Sequence, residues 1–185
     1  MTALICGSLA FDTIMAFQGR FSEALLADQL HKINVAFLVP SMRREFGGCA
    51  GNIAYNLKLL GGDPLIMATV GQDSAPYMER LEQLDISRRC ISTIDTSYTA
   101  QAFITTDAGS NQITAFHPGA MTLSHQNKVA DAGPLKLAII APRDYLPPSQ
   151  QPDEGFAANS EQSARLVFSL AQVKAAGFRV YVFYP

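Results

Sequence analysis

The sequence predicts an α/β fold in which a mostly parallel β-sheet is flanked by helices. Two observations lead to this prediction: short runs of apolar and β-branched residues recur along the chain, and segments with apolar residues at helical spacing separate them. The chain has 185 residues, of which 48% are hydrophobic and 16% are charged. It is therefore long enough to bury one substantial core.

The elements of this sheet follow in order along the chain. Gly61, Gly62 and Gly177 stand where the C-terminal caps of helices belong, and right-handed crossovers would place the helices on the sheet faces. The predicted strands are Leu4 to Cys6, Pro64 to Val70, Leu135 to Ala141 and Arg179 to Phe183, and the predicted helices are Ile53 to Leu60, Ala75 to Leu84 and Ser163 to Ala176.

Two insertions interrupt the pattern and predict a second, smaller sheet. Lys32 to Val39 has the composition of an antiparallel strand, and Ala100 to Thr106 and Gln112 to His117 form a hairpin around the turn-rich "DAGSN". We expect these strands, inserted at about 13–46 and 98–118, to form a lid over one end of the core. The lid would then close over whatever the core binds.

A proline-rich segment follows the Leu135 strand. Four prolines occur within eleven residues from Pro142, which excludes regular helix or strand there. Residues 143–162 are therefore predicted to be irregular.

Charge and cysteine content exclude several classes of protein. The net charge is −2 and no basic run exceeds two residues, so a nucleic-acid partner is not expected. No apolar stretch reaches the roughly 20 residues that a membrane span needs, and no membrane partner is expected. The three cysteines lack a C-x-x-C pair and the N-terminus lacks a signal sequence, which predicts a reduced, cytoplasmic protein.

Asp12 is the first candidate site residue. It follows the first predicted strand in "CGSLAFD", and open α/β sheets bind ligands beyond the carboxyl ends of their strands. A carboxylate accepts two hydrogen bonds in a fork, which suits the vicinal diol of a sugar better than a phosphate. A turn or helix-cap aspartate is the alternative.

The glycines before the predicted helix Ile53 to Leu60 suggest that a ligand comes close to the backbone. Gly47 and Gly48 precede "CAGN", so bare backbone would line a pocket while Asn52 supplies one donor and one acceptor. This pattern favours a polar, neutral ligand. The alternative is a glycine-lined N-cap that packs helix against strand. A dinucleotide site is excluded because G-x-G-x-x-G is absent, and no Walker A lysine follows.

The run from Gly47 through Asn52, Ala54 and Gly61 to Gly71 resembles the N-terminal signature of the ribokinase-like sugar and nucleoside kinases, the phosphofructokinase-B superfamily. "GSLAFD" at Asp12, "SAPYMERL" after Gly71 and "NQITAFHPGA" agree with it in order and spacing. The resemblance covers residues 1 to about 142 and is closest to the bacterial nucleoside and adenosine kinases. It implies a Rossmann-like ribokinase core with a small β lid.

The resemblance also implies roles for site residues. Asp12, Gly48 and Asn52 would hold the sugar hydroxyls, and the lid residues Gln101 and Phe103 would close over the acceptor. Phe103 would offer its ring to a base or sugar face. The alternative for Phe103 is a lid-core aromatic that packs on Phe116.

Family members run to about 300 residues, and the resemblance implies that their catalytic aspartate and ATP site lie in a C-terminal half that is missing here. The family enzyme uses ATP and Mg²⁺ to phosphorylate a hydroxyl of a sugar or nucleoside. Ribose-specific members tend to carry a glutamate at the end of the Leu135 strand, where Ala141-Pro142 stand here, which favours nucleosides. We therefore expect no catalytic residue and no cofactor-binding or metal-binding residue in this chain, which is expected to be inactive alone.

A noncatalytic ligand-binding or dimerisation half-domain is the competing hypothesis. Ribokinase-like relatives often dimerise by packing their lid sheets together, which implies a homodimer through the lid strands. Exposed strand edges imply a second outcome, an aggregation-prone fragment.

Overall fold

The apolar runs at the start of the chain and after residue 62 become two neighbouring inner strands of a five-stranded parallel sheet. The computed structural model describes residues 2–25, 34–135 and 137–141, together with the backbone of 179–182. Every neighbouring pair of strands in this sheet runs parallel. In sheet order the strands are β5 (Ser87–Ile94), β4 (Asp63–Gly71), β1 (Thr2–Cys6), β8 (Leu137–Ile140) and β9 (Arg179–Val182).

The core lies on both faces of this sheet because the side chains of β1 and β4 alternate between two apolar clusters. Leu4 and Cys6 belong to one cluster, which is covered by the 3₁₀ helix Val129–Ala132. Ile5 belongs to the other, against which helices α2 (Cys49–Leu59) and α3 (Ala75–Gln83) pack.

A second sheet is formed by four strands, and we call it the lid sheet. Its central pair, β2 and β6, runs parallel, and each of them has an antiparallel strand on its outer side. In sheet order the strands are β3 (Ser41–Gly47), β2 (Ala10–Ala16), β6 (Ala100–Thr106) and β7 (Gln112–His117). The short helix α1 (Phe21–Ala24) follows β2, and the 3₁₀ helix Gly119–Gln126 follows β7.

Asp107 organises the turn between β6 and β7. Its carboxylate accepts hydrogen bonds from the backbone N–H groups of Phe21, Gly109 and Asn111 and from the Asn111 amide. Burial alone would raise the pKa of Asp107, but these hydrogen bonds outweigh it and lower the pKa to about 2. One side chain therefore joins the tip of the hairpin to α1.

Several predicted elements are confirmed. The core is α/β with a parallel sheet, α3 begins at the predicted residue, and the β6–β7 hairpin has the predicted bounds. α2 begins four residues earlier than the predicted Ile53, directly after Gly48. The predicted helix Ser163 to Ala176 and the irregular segment 143–162 lie outside the described residues.

Other predictions were wrong. Residues 34–39 of the predicted strand Lys32 to Val39 form no strand, and the strand lies instead at Ser41–Gly47. Asp12 does not stand at the carboxyl end of the first strand. It is the third residue of β2, a strand that we did not predict. β5 was also missed. These strands carry charged or exposed residues, so their strand character depends on pairing rather than on an apolar run.

Candidate functional site

The two glycines form the turn that carries the chain from β3 into α2. Gly48 is the N-cap residue and has a φ of +91°, a backbone conformation that residues with a side chain rarely adopt. A β-carbon at Gly48 would lie 2.5 Å from the carbonyl oxygen of Ser8. Ser8 in turn accepts hydrogen bonds from the backbone N–H groups of Cys49 and Ala50, each at 3.0 Å. The first N–H groups of α2 are therefore bound to protein.

Asp12 lies beside this turn. It pairs with Glu45 on β3 and with Ala102 on β6, so all three side chains share one face of the lid sheet. A β-carbon at Gly47 would overlap the Asp12 carboxylate, so the glycine leaves that space to the carboxylate. Burial raises the pKa of Asp12. Among the described residues, none donates a hydrogen bond to this carboxylate.

Tyr77 of α3 binds the glycine turn through its hydroxyl. Its hydroxyl donates a buried hydrogen bond of 2.7 Å to the carbonyl oxygen of Gly47. The same hydroxyl occupies the space that a β-carbon at Gly51 would need. Burial raises the pKa of Tyr77, the negative charge of Asp12 adds to this, and the charge of Arg80 opposes it. The phenol is therefore a fixed donor that holds the turn in place.

Asn52 is exposed in the first turn of α2 and lines a cavity between α2 and α3. The cavity has a volume of about 300 Å³. Asp12 does not line it. The lining residues are Glu45, Phe46, Gly51, Asn52, Tyr55, Tyr77, Arg80, Leu81, Leu84 and Ile86.

Gln101 and Phe103 lie on the face of the lid sheet opposite to Asp12. Phe103 pairs with Thr13, one residue beyond Asp12, and successive residues of a strand point to opposite faces. The Gln101 amide donates a hydrogen bond of 3.1 Å to the Asp73 carboxylate. Phe116 pairs with Ala102 on the Asp12 face, so the alternative in which Phe103 packs on Phe116 was wrong.

The structure therefore brings Asp12, Gly47 and Gly48 together at one turn, with Asn52 one helical turn further on. Sequence reasoning missed Ser8 and Tyr77, which hold this turn, and Asp73, which holds the Gln101 amide. Ser8 stands in the quoted "GSLAFD", but nothing in the sequence shows that its hydroxyl and carbonyl oxygens accept hydrogen bonds from the start of α2. Tyr77 reads as an ordinary apolar position of an amphipathic helix.

The described part of the chain contains no group of three or more His, Cys, Asp or Glu side chains placed to hold a metal ion. No helix among the described residues is both long and apolar enough to cross a membrane.

Comparison with known proteins adds to this geometry. The family model described as "pfkB family carbohydrate kinase" matches residues 9–158. The chain is 36% identical over 89 residues to a nucleoside kinase of Methanocaldococcus jannaschii, which is 47% of this chain and 30% of that protein. It is 30% identical over 119 residues to a nucleoside kinase of Methanothermobacter thermautotrophicus, which is 63% of this chain and 35% of that protein.

Solved structures of nucleoside kinases are similar to the whole described fold. The structure of Burkholderia thailandensis nucleoside kinase in complex with inosine matches 97% of this chain with a TM-score of 0.74 and 46% sequence identity. The match covers 51% of that protein. The chain therefore spans about half the length of the Burkholderia protein and a smaller share of the archaeal ones.

Proposed function

The chain belongs to the pfkB family of carbohydrate kinases, and from that premise we propose that it forms the nucleoside-binding part of a nucleoside kinase. The reaction of the whole protein would be ATP-dependent phosphorylation of a nucleoside hydroxyl. In this proposal the acceptor binds on the Asp12 face of the lid sheet, against the turn at Gly47 and Gly48.

The observation that carries the proposal is the environment of Asp12. Its carboxylate lies against a glycine, is half-buried, and receives no hydrogen bond from the described residues. A half-buried carboxylate without a protein donor leaves its oxygens free to accept hydrogen bonds from water or from a ligand that displaces the water. Two adjacent hydroxyl groups of a ribose supply two donors in the geometry that a carboxylate accepts.

The remaining site residues have defined chemistry in this proposal. Asn52 would add one donor and one acceptor at the start of α2, next to the glycine turn. Gly48 would let the sugar lie against the backbone. Gln101 and Phe103 stay predictions as acceptor contacts, and their position on the opposite face makes them the weakest members of the set.

We propose a nucleoside as the acceptor, and not a free sugar, because the similar proteins are nucleoside kinases. The Burkholderia protein, 46% identical in the matched region, was solved in complex with inosine. Both archaeal relatives carry the name nucleoside kinase. Inosine is therefore a suitable probe of nucleoside binding.

ATP would supply the phosphoryl group, and Mg²⁺ would offset the charge of its phosphates. The described residues contain no cluster that fits a metal ion. What this chain's own residues do is bind the acceptor and orient its hydroxyls. A cytoplasmic location stays a prediction from the cysteine content.

Titration calorimetry with inosine tests the proposal. Wild-type protein is compared with Asp12→Asn, which removes the negative charge and one acceptor oxygen, and with Asp85→Asn as the matched control. Asp85 lies on the surface and pairs with Lys58 at 2.9 Å, away from the lid sheet. We expect Asp12→Asn to lose about 2 to 3 kcal/mol of binding free energy, the scale of hydrogen bonds to a charged group, and the control to bind normally.

Two results contradict the proposal. Inosine binding that is unchanged in Asp12→Asn removes Asp12 from the site. A wild-type protein that binds no nucleoside leaves the noncatalytic, lid-mediated association as the better account.

One observation favours that second function. The lid face opposite to Asp12 carries exposed apolar side chains in adjacent strands, since Met42 and Ile113 lie on the same cross-strand row and Phe103 stands on the same face. Their exposed fractions are 70%, 43% and 42%. Two lid sheets packed through this face would form a homodimer. Light scattering of wild type against Met42→Lys tests it, with a shift to monomer expected in the variant.

A further inference from the structure

The carboxylate of Asp73 lies between the core sheet and the lid sheet. One oxygen accepts a hydrogen bond of 2.7 Å from the backbone N–H of Thr99, just before β6. The other accepts a hydrogen bond from the Gln101 amide at 3.1 Å and lies 3.6 Å from the Arg44 guanidinium of β3. Asp73 itself follows β4 of the core sheet, so its one side chain contacts two strands of the lid sheet.

Arg44 extends this contact to the strand that carries Asp12. Its guanidinium lies over the ring of Phe11, 3.7 Å from the ring centre. Phe11 directly precedes Asp12 in β2 and is buried. The ion pair is partly exposed, because the Arg44 side chain is 46% exposed and the Asp73 side chain 21%. At 3.6 Å it contributes about 1 kcal/mol or less, and the two hydrogen bonds to Asp73 carry the rest of the contact.

The core side of this contact is held in place by its own hydrogen bonds. The Gly71 N–H donates to the Thr99 hydroxyl at 3.0 Å, and the Gln72 N–H donates to the Ser97 carbonyl at 2.9 Å. A β-carbon at Gly71 would overlap the backbone at Thr99, which shows how close the two segments lie. These two bonds tie the end of β4, next to Asp73, to the segment that leads into β6.

We propose that Asp73 is a positioning residue that anchors the lid sheet to the core and, through Arg44 and Phe11, sets where Asp12 stands. Gln101 then serves as a lid anchor through its amide nitrogen. The anchor itself follows from the contacts above. Its effect on nucleoside affinity rests on the proposed function, in which Asp12 binds the acceptor.

Moving the negative charge from residue 73 of the core to residue 101 of the lid sheet tests whether Asp73 anchors the lid. Asp73→Asn leaves Arg44 without its anion, and Gln101→Glu places a second carboxylate against Asp73, so each single variant should loosen the lid sheet. The double variant carries an amide at 73 and a carboxylate at 101, which restores one negative charge beside Arg44. Asp85→Asn is the matched control for the substitution.

Hydrogen exchange followed by mass spectrometry is the first readout. We expect exchange of the β2, β3 and β6 amides to become about tenfold faster in each single variant and to return close to the wild-type rate in the double variant. Exchange in β1 and β4 should stay unchanged, which shows that the core is folded. An unchanged lid in Asp73→Asn, or a double variant no slower than the singles, overturns the anchor.

Inosine affinity is the second readout. We expect it to weaken about tenfold in Asp73→Asn and to recover in the double variant. A loosened lid with unchanged inosine affinity overturns the positioning of Asp12. Wild-type protein that does not bind inosine refutes the proposed function instead, while the exchange rates still decide whether Asp73 anchors the lid.

Discussion

The glycine at position 48 offers a test in which the expected cost can be worked out from the structure. Gly48 and Gly61 both have positive φ, at +91° and +78°, but their surroundings differ. A β-carbon at Gly48 would lie 2.5 to 2.8 Å from backbone atoms of residues 8–10, whereas one at Gly61 would meet nothing within 4 Å. Alanine at each site therefore separates the conformational cost from the steric one.

Gly61→Ala carries only the cost of a side chain at positive φ, about 1 to 2 kcal/mol. In Gly48→Ala the β-carbon would also overlap the backbone of residues 8–10, which cannot move aside as a side chain can. Strain of about 1 to 3 kcal/mol and overpacking of about 1 to 3 kcal/mol give a total of about 2 to 6 kcal/mol. Urea unfolding of the two variants, measured together, gives both free energies of unfolding.

Two outcomes decide the matter. We expect Gly48→Ala to be the more destabilised variant and to lose inosine binding under conditions where it is still folded. If Gly48→Ala costs no more than Gly61→Ala, then the close approach between the turn and residues 8–10 is absent and the reasoning about the site fails.

Four further predictions concern the same region and the lid tip. Because protonation removes the acceptor and burial raises the pKa of Asp12, inosine affinity should fall on acidification from a pH above the ordinary aspartate value of about 3.9; an onset at or below that value contradicts this. That raised pKa also means that charged Asp12 destabilises the folded protein at neutral pH, so Asp12→Asn without ligand should have a higher melting temperature; a lower one contradicts this. Tyr77→Phe leaves the buried Gly47 carbonyl without its donor and should cost about 1 to 3 kcal/mol in urea unfolding, and an unchanged value would show that the bond is not formed. The pKa of Asp107 is lowered to about 2, so its contribution to stability is present above the unfolded value near 3.9 and is lost as the pH falls toward 2; Asp107→Asn should lack this acid-dependent loss in hydrogen-exchange measurements of the hairpin, and an identical acid profile refutes the assignment.

The core strands were predictable because their pattern comes from burial, and the exposed strand β7 was predictable because a turn-rich segment marks its hairpin. β1 and β4 lie in the core, so their apolar runs are visible without knowledge of their neighbours. β3, with the sequence "SMRREFG", is exposed at every residue except Gly47. Its strand character comes from pairing with β2, which a single sequence does not reveal.

The site was predictable to a similar extent. Asp12 and the two glycines carry a local signal, because a carboxylate and bare backbone before a helix point to ligand binding. The face on which a lid residue lies depends on register, and a shift of one residue moves it to the other side of the sheet. Gln101 and Phe103 were assigned to the acceptor without that information, and the observed register separates them from Asp12.

The most direct measurement is a crystal structure of the protein with inosine bound. We expect the ribose on the Asp12 face of the lid sheet, with two hydroxyl groups within hydrogen-bond distance of the Asp12 carboxylate and the sugar against Gly48. Inosine bound on the opposite face, at Gln101 and Phe103, or in the cavity between α2 and α3 would contradict it.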